Sequence, residues 1–263
     1  MTGAETEWAL ALFRKSVLKQ AKFRRILELL NDPTGKTNLD IGADNGVISY
    51  LLRQRGGRWA SADLDQRAVA SMRQLVGTEV YQLDGSRLPF ADRTFDQVVV
   101  VDYLEHIEHD REFARELARV LVPGGRAIVN VPHLQPGSPL NRFRHWIGLT
   151  DEWHGHLRPG YSVESLGELL GPRFRVERAV TYSRFGSELV DTALNGLYGV
   201  MQRRQGGASS SKGTVVTQTD VRRYRREFRL LSLVYPALRL TAAGDALLPW
   251  QAGHKLILAA TLT

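Results

Sequence analysis

Residues 38 to 49, Asn38-Leu39-Asp40-Ile41-Gly42-Ala43-Asp44-Asn45-Gly46-Val47-Ile48-Ser49, constrain this chain more than any other stretch. They read as a short buried strand, a glycine-bearing turn and the start of a helix. Glycine accepts positive φ and lets a ligand approach the backbone, and the helix that follows offers unpaired N–H groups to polar ligand atoms. Asp40 stands at the last turn of the strand, where a dinucleotide-binding turn presents a pyrophosphate that a carboxylate would repel. A cationic ligand suits that acid better. Asp63 closes a second strand-like run, Arg58-Trp59-Ala60-Ser61-Ala62-Asp63, where an acid accepts both hydroxyls of a ribose. Two acids and a glycine turn suit a ribosyl sulfonium better than a phosphate.

Four later stretches extend the pattern: Gln82-Leu83-Asp84-Gly85, Leu88-Pro89-Phe90-Ala91-Asp92, Phe95-Asp96-Gln97-Val98-Val99-Val100 and Leu121-Val122-Pro123-Gly124-Gly125-Arg126. In order and spacing the set resembles the class I S-adenosylmethionine (SAM)-dependent methyltransferases, in particular the type 11 and ubiquinone-biosynthesis methyltransferases. The resemblance covers residues 37 to 183. It implies a seven-stranded Rossmann-like, doubly wound α/β sheet, mostly parallel with an antiparallel last strand. It also implies SAM as cofactor, held by Asp40, Gly42, Ala43, Asn45, Gly46, Asp63, Leu64, Asp84, Gly85 and Asp102. A turn-capping role after strand three is the alternative for Asp84. One position departs from the family: Asp44 replaces the middle glycine of the first motif, and Asp tolerates left-handed geometry better than most residues.

The chain divides at residues 1–36, 37–183, 184–254 and 255–263. The first segment reads as a helix over 5–30, apolar at Trp8, Leu12, Val17, Leu18, Ile26, Leu27 and Leu30 and basic elsewhere, ended by Asp32-Pro33-Thr34-Gly35. Such a segment often caps the active site in the family. From Asn38 strand and helix signals alternate, as a doubly wound parallel sheet requires. Strands are expected at 38–42, 58–63, 79–83, 96–102 and 126–131, with Asp65 capping a helix over 66–75 and another helix over 110–121. Residues 132–161 read as loop, and Ser162 caps a helix over 163–170. Residues 174–181 and 255–263 alternate like half-buried strands. Residues 184–254 stand as an insertion before the last strand, with a helix over 187–203, a Gly/Ser-rich linker over 206–213 and a basic segment over 220–240.

Asp102-Tyr103-Leu104-Glu105-His106 follows strand four, at the sheet edge where open α/β folds bind ligands. The acid-x-x-Glu-His pattern resembles the Mg²⁺-binding set of ubiquinone-pathway O-methyltransferases and plant small-RNA 2′-O-methyltransferases, which makes Mg²⁺ a candidate second cofactor with Asp102, Glu105 and His106 as its ligands. The same stretch also resembles metal-free members. The catalytic candidates are His106, Glu105 and His154, the last from Trp153-His154-Gly155-His156. An acid beside a histidine suits removal of a hydroxyl proton. A solvated or structural histidine remains the alternative at each position.

The chain has no cysteine, which excludes disulfides, thiolate metal sites and a Cys nucleophile. No signal peptide is visible at the N-terminus, and the expected setting is the cytoplasm. Residues 1–36 carry seven Lys/Arg against four Asp/Glu, 37–183 seventeen against nineteen, and 184–263 eleven against five, so the body is at −2 and the flanks are at +3 and +6. Basic flanks fit an anionic membrane surface or solvated helix faces. The leading expectation is methyl transfer to a hydroxyl of a lipid-like, quinone-like or natural-product small molecule. Nucleic-acid methylation is the second reading, although the Asn/Asp-Pro-Pro-aromatic motif and any RNA-binding module are missing. A fold without catalysis, motivated by Asp44, is the third. Asp40 and the Pro-Gly-Gly turn argue against a nicotinamide dehydrogenase.

Overall fold

A computed structural model describes residues 3–148, 150, 155–193, 225–248 and 250–263. Seven strands form one sheet in the order β3-β2-β1-β4-β5-β7-β6. They are β1 Thr37–Ile41, β2 Arg58–Asp63, β3 Val80–Gln82, β4 Phe95–Val101, β5 Leu121–Pro132, β6 Phe174–Tyr182 and β7 Lys255–Leu262. Pairs among β1 to β5 are parallel, whereas β7 lies between β5 and β6 and runs antiparallel to both. The expected mostly parallel, Rossmann-like sheet is therefore present.

The valine run of β4 explains the layering, because a central parallel strand needs apolar side chains on both faces. Val98 and Val100 pack with Phe113 and Leu117 of α5 (Asp110–Val120) and Leu166 of α7 (Val163–Leu170). Val99 and Val101 pack on the other face with Ile26, Leu52 and Met72. Those three come from α2 (Val17–Leu29), α3 (Val47–Arg53) and α4 (Gln66–Val76). Asp65 and Ser162 cap α4 and α7 as expected, accepting from the N–H groups of Arg67 and Ser165.

Four elements differ from the sequence reading. The single helix over 5–30 is two, α1 (Gly3–Arg14) and α2, because the Ser16 side chain accepts from Lys19 N–H and starts a new helix. Strand β5 begins at Leu121, before the Pro-Gly-Gly turn, with a register shift against β4 at Phe95/Gln97 that absorbs the turn. The loop over 132–161 contains α6 (Pro139–Trp146), opened by Ser138 and by a proline in its first turn. In the insertion, residues 185–193 are helical (α8) and the basic segment forms α9 (Arg225–Ala243) with Pro236 inside it. The expected linker at 206–213 and the rest of the expected 187–203 helix lie outside the described residues.

Pro132 at the end of β5 and Tyr182 at the end of β6 both align with Lys255 at the start of β7. The 133–160 segment and the 184–254 insertion therefore leave from the same sheet edge as the glycine turn after β1. That edge is the carboxyl end of the parallel strands, where open α/β sheets form their ligand crevice.

Candidate active site

The turn after β1 alternates left-handed residues: Gly42 has φ +78°, Asp44 +54° and Gly46 +83°. A Cβ on Gly42 would lie 2.2 Å from the Val101 carbonyl oxygen, and one on Gly46 2.9 Å from Met72 Cα. Both glycines are thus demanded by close packing of the turn on β4 and α4. Asp44 keeps the left-handed conformation of the glycine it replaces, and its carboxylate accepts from Lys19 Nζ at 3.0 Å. Ala43 is buried, Asn45 is half-buried, and the Asn45 carbonyl accepts from Ser71 Oγ at 3.0 Å, tying the turn to α4.

Asp40 lies in the interior beneath the turn. It is fully buried, and it accepts from Ser49 Oγ at 2.5 Å, Ser61 Oγ at 2.7 Å and Arg53 at 3.5 Å. Burial raises its pKa, opposed by those hydrogen bonds and by the Arg53 charge. Since α3 begins one residue after Gly46, the serine and arginine of its first two turns reach back to the strand end. Asp40 therefore braces the turn from within a buried network, a role the sequence reading did not assign to it.

Asp63 ends β2 beside that turn, with Oδ1 accepting from Asp65 N–H at 3.0 Å. Burial, assisted by the charges of Asp44 and Asp65, pushes its pKa up to about 6. Leu64 is half-buried against the core, and Asp84 is exposed just beyond β3. The Gly85 carbonyl accepts from the buried Tyr103 hydroxyl at 2.5 Å. Asp102 follows β4 with φ +45°. One of its oxygens accepts from Asn130 Nδ2 at 2.8 Å and the other from Lys22 Nζ, while Asn130 Oδ1 accepts from the Tyr182 hydroxyl at 2.5 Å. Helix α2 thus crosses the carboxyl edge with Lys19 on Asp44 and Lys22 on Asp102, the position expected of a cap. Neither lysine was singled out in the sequence, where both read as the polar side of an amphipathic helix.

Glu105 and His106 form a 3-10 turn directly after β4. Glu105 is fully buried, and neither carboxylate oxygen has a hydrogen-bond partner. Burial and the Asp102 charge push its pKa up to about 8, against the opposing charges of Lys255 and Lys22. His106 Nδ1 lies 2.9 Å from the Gly155 carbonyl. A carbonyl only accepts, so Nδ1 carries the proton and Nε2 presents its lone pair. The ring of His156 stands edge-on to that of His106, centroids 5.0 Å apart. Donor atoms of Glu105, His106 and His156 all lie within 4.8 Å of one another.

The segment carrying His156 is held against this turn along its length. Leu157 N–H donates to the Glu105 carbonyl at 2.7 Å, Arg158 donates to the Ile107 carbonyl at 2.8 Å and pairs with Asp110, and the Tyr161 hydroxyl donates to Asp110 at 2.9 Å. Among the described residues His156 joins His106; the expected catalytic candidate His154 lies outside them. The expected metal set also changes. Asp102 is engaged by Lys22 and Asn130, and His156 completes the donor group in its place.

Residues 39–129 match the family model of a methyltransferase domain. The chain is 30% identical over 118 residues to a demethylmenaquinone methyltransferase of Tropheryma whipplei, covering 43% of this chain and 49% of that protein. It is 34% identical over 131 residues to a 2-phytyl-1,4-naphthoquinone methyltransferase of Thermosynechococcus vestitus, covering 46% and 56%. The matched regions span about half the length of these relatives. Among solved structures, a methyltransferase-fold protein from Bacillus halodurans superposes over 92% of this chain and 97% of its own with a TM-score of 0.57 at 16% identity, a likeness of fold.

Proposed function

We propose that this chain, whose residues 39–129 match a methyltransferase domain, is a class I SAM-dependent methyltransferase that transfers the SAM methyl group to a small quinone-like molecule at a ring hydroxyl. The observation that carries the reading is one juxtaposition at the sheet's carboxyl edge. The glycine turn and Asp63 stand on one side of it, and the Glu105-His106-His156 group stands on the other. The names of the two relatives support a quinone nucleus as acceptor; the hydroxyl is inferred from the base.

The residues present fit the cofactor. Backbone at Gly42 to Gly46 and the side chains of Asp63 and Asp84 would hold it, with carboxylates rather than phosphate-binding groups around a cation. When bound, SAM would supply an electrophilic methyl group for an unprotonated acceptor oxygen, with the thioether as leaving group. His106 Nε2 accepts the acceptor's hydroxyl proton, and the Nδ1–H bond to Gly155 fixes the ring for that transfer. The Lys19–Asp44 and Lys22–Asp102 pairs tie α2 to the carboxyl edge beside the cleft.

The buried, unpartnered Glu105 carboxylate and two imidazoles also fit a divalent cation. Glu105, His106 Nε2 and His156 would hold it in place of the base role of His106, and it would supply Lewis acidity to the acceptor oxygen. Two imidazoles and one carboxylate favour zinc, iron or manganese over Mg²⁺, which prefers an all-oxygen shell. We place the protein in the cytoplasm; among the described residues no helix is long and apolar enough to cross a membrane.

Calorimetric titration with SAM and with NADH, followed by mass analysis of a demethylated naphthoquinol incubated with SAM, tests the reading. Micromolar SAM binding and a product heavier by one methylene unit support it. Absence of SAM binding would overturn it.

A further inference from the structure

Helix α9 is apolar on two opposite sides. Tyr235, Leu238 and Ala242 are its inward residues; the Tyr235 hydroxyl accepts from Gln20 Nε2 at 2.9 Å, and its ring lies 4.8 Å from Lys15 Nζ, which docks α9 on the helical cap. The opposite side should then be polar. Instead Leu233 and Leu240, seven residues apart and so on one face, are 78% and 74% exposed. Leu247 in the following 3-10 turn is 76% exposed and Trp250 79%.

This surface is part of a larger pattern. Among the described residues, eleven of the twelve exposed large apolar side chains lie in 134–157, 185–189 and 233–250. Those segments follow β5 or join β6 to β7, so they all leave from the sheet's carboxyl edge. On α6, Phe143 and Trp146 are 44% and 82% exposed, and Arg144 of the same helix donates to Glu188 at 2.5 Å, which joins α6 to α8. Arg184 and Gly186 N–H groups in turn donate to Asp245 at 2.8 and 2.7 Å, which joins that unit to the end of α9. The apolar residues thus lie on segments that leave the sheet at the edge that carries the candidate site.

We infer that these apolar residues form a docking surface for an anionic lipid bilayer. It lets the protein lie in the interface with that edge facing the hydrocarbon. Exposed leucines along a helix and the turn after it, a tryptophan beyond them and arginine concentrated just before them in the sequence make up the composition of an interfacial element. The sequence places five arginines between residues 222 and 229, directly before the exposed stripe, and residues 184–263 carry a net +6. A second copy is the poorer occupant, since two such segments would be brought together with like charge. An anionic headgroup layer satisfies the arginines, and the acyl region covers the stripe. The inference deepens the proposed function by supplying an apolar acceptor from the membrane, yet lipid binding does not require methyl transfer.

The test is flotation of the full-length protein with vesicles of phosphatidylcholine alone and of phosphatidylcholine containing phosphatidylglycerol. The SAM titration is run on the same preparations. The wild-type protein is expected to float with the anionic vesicles, less so with added salt, and not with the neutral ones. The double variant L240S/L247S and the separate variant W146S, each at sites exposed enough to leave the core intact, should lose at least about tenfold in vesicle affinity with unchanged SAM binding. No flotation, or equal flotation of the variants, would overturn the inference. So would a dimer in sedimentation that L240S/L247S converts to monomer. Vesicle binding without SAM binding would sink the methyl-transfer reading alone.

Discussion

Lys22 of α2 and Asp102 after β4 are bonded side chain to side chain, though eighty residues separate them in the chain. Their pairing places a positive charge, 15% exposed, at the edge where a sulfonium is to bind. Lys19 repeats the arrangement on Asp44. The cap thus carries the same charge sign as the cofactor and holds the acids that would otherwise attract it.

Replacing Lys22 by Met should therefore favour SAM over S-adenosylhomocysteine, which differs by the sulfonium charge. A shift of several-fold in the ratio of the two affinities is expected, from about 1 kcal/mol of charge interaction near a surface. Competition calorimetry reads it, and an unchanged ratio would place Lys22 away from the sulfur.

Asp63 predicts opposite pH dependences for binding and for folding. Its folded pKa, about 6, lies above the ordinary 3.8, so the native state holds the proton more tightly than the unfolded chain does. Its contribution to stability is fully present below about 3.8 and is lost as pH rises through about 6. The ribose, by contrast, needs the ionised carboxylate, so SAM affinity should rise between pH 5 and pH 7, roughly tenfold per unit below the pKa. Asp63→Asn should flatten that rise and weaken binding. A wild-type profile that is already flat would remove Asp63 from the cofactor site.

Asp40→Asn tests the bracing role. Losing the anion leaves Arg53 without its charge partner in a buried network, at a cost of roughly 3 kcal/mol in urea unfolding. Its SAM affinity should fall only as far as the turn loosens. Full stability with lost affinity would reinstate Asp40 as a ligand contact.

Gly42→Ala should cost at least ~2 kcal/mol, because the turn needs positive φ there and the new methyl group would press on the Val101 carbonyl. A thermal melt within a degree of wild type would mean the turn is softer than its packing indicates.

His106→Gln should lower turnover about a hundredfold or more while leaving SAM affinity nearly unchanged. Glu105→Gln and His156→Gln should each weaken Zn²⁺ or Mn²⁺ binding at least tenfold, measured by titration of chelator-treated protein. Equal metal binding in both variants would leave His106 as a base acting alone.

The fold was legible in the sequence wherever the signal is local. The valine run of β4, the Asp65 and Ser162 caps and the glycine turn each state their structure within a few residues, because strand burial, helix capping and positive φ are short-range requirements. The likeness of residues 39–129 to a methyltransferase domain followed from the order of such signals. Helix α6 was missed because its proline and histidine content imitates a loop, and the break at Ser16 because a cap inside a continuous apolar pattern changes little in the period.

What only the tertiary structure decided was which polar groups meet. Asp40 and Asp63 look alike in sequence, each near the end of a strand, but serines and an arginine surround Asp40 while Asp63 accepts from the Asp65 N–H. His156 lies fifty residues from His106 in the chain, and the hydrogen bonds from Leu157 and Arg158 to the turn after β4 bring it there. The two cap lysines acquire their partners only when α2 packs on the sheet. Electrostatic pairing depends on distances of a few ångströms between segments far apart in the chain, and periodicity along one segment carries no record of them.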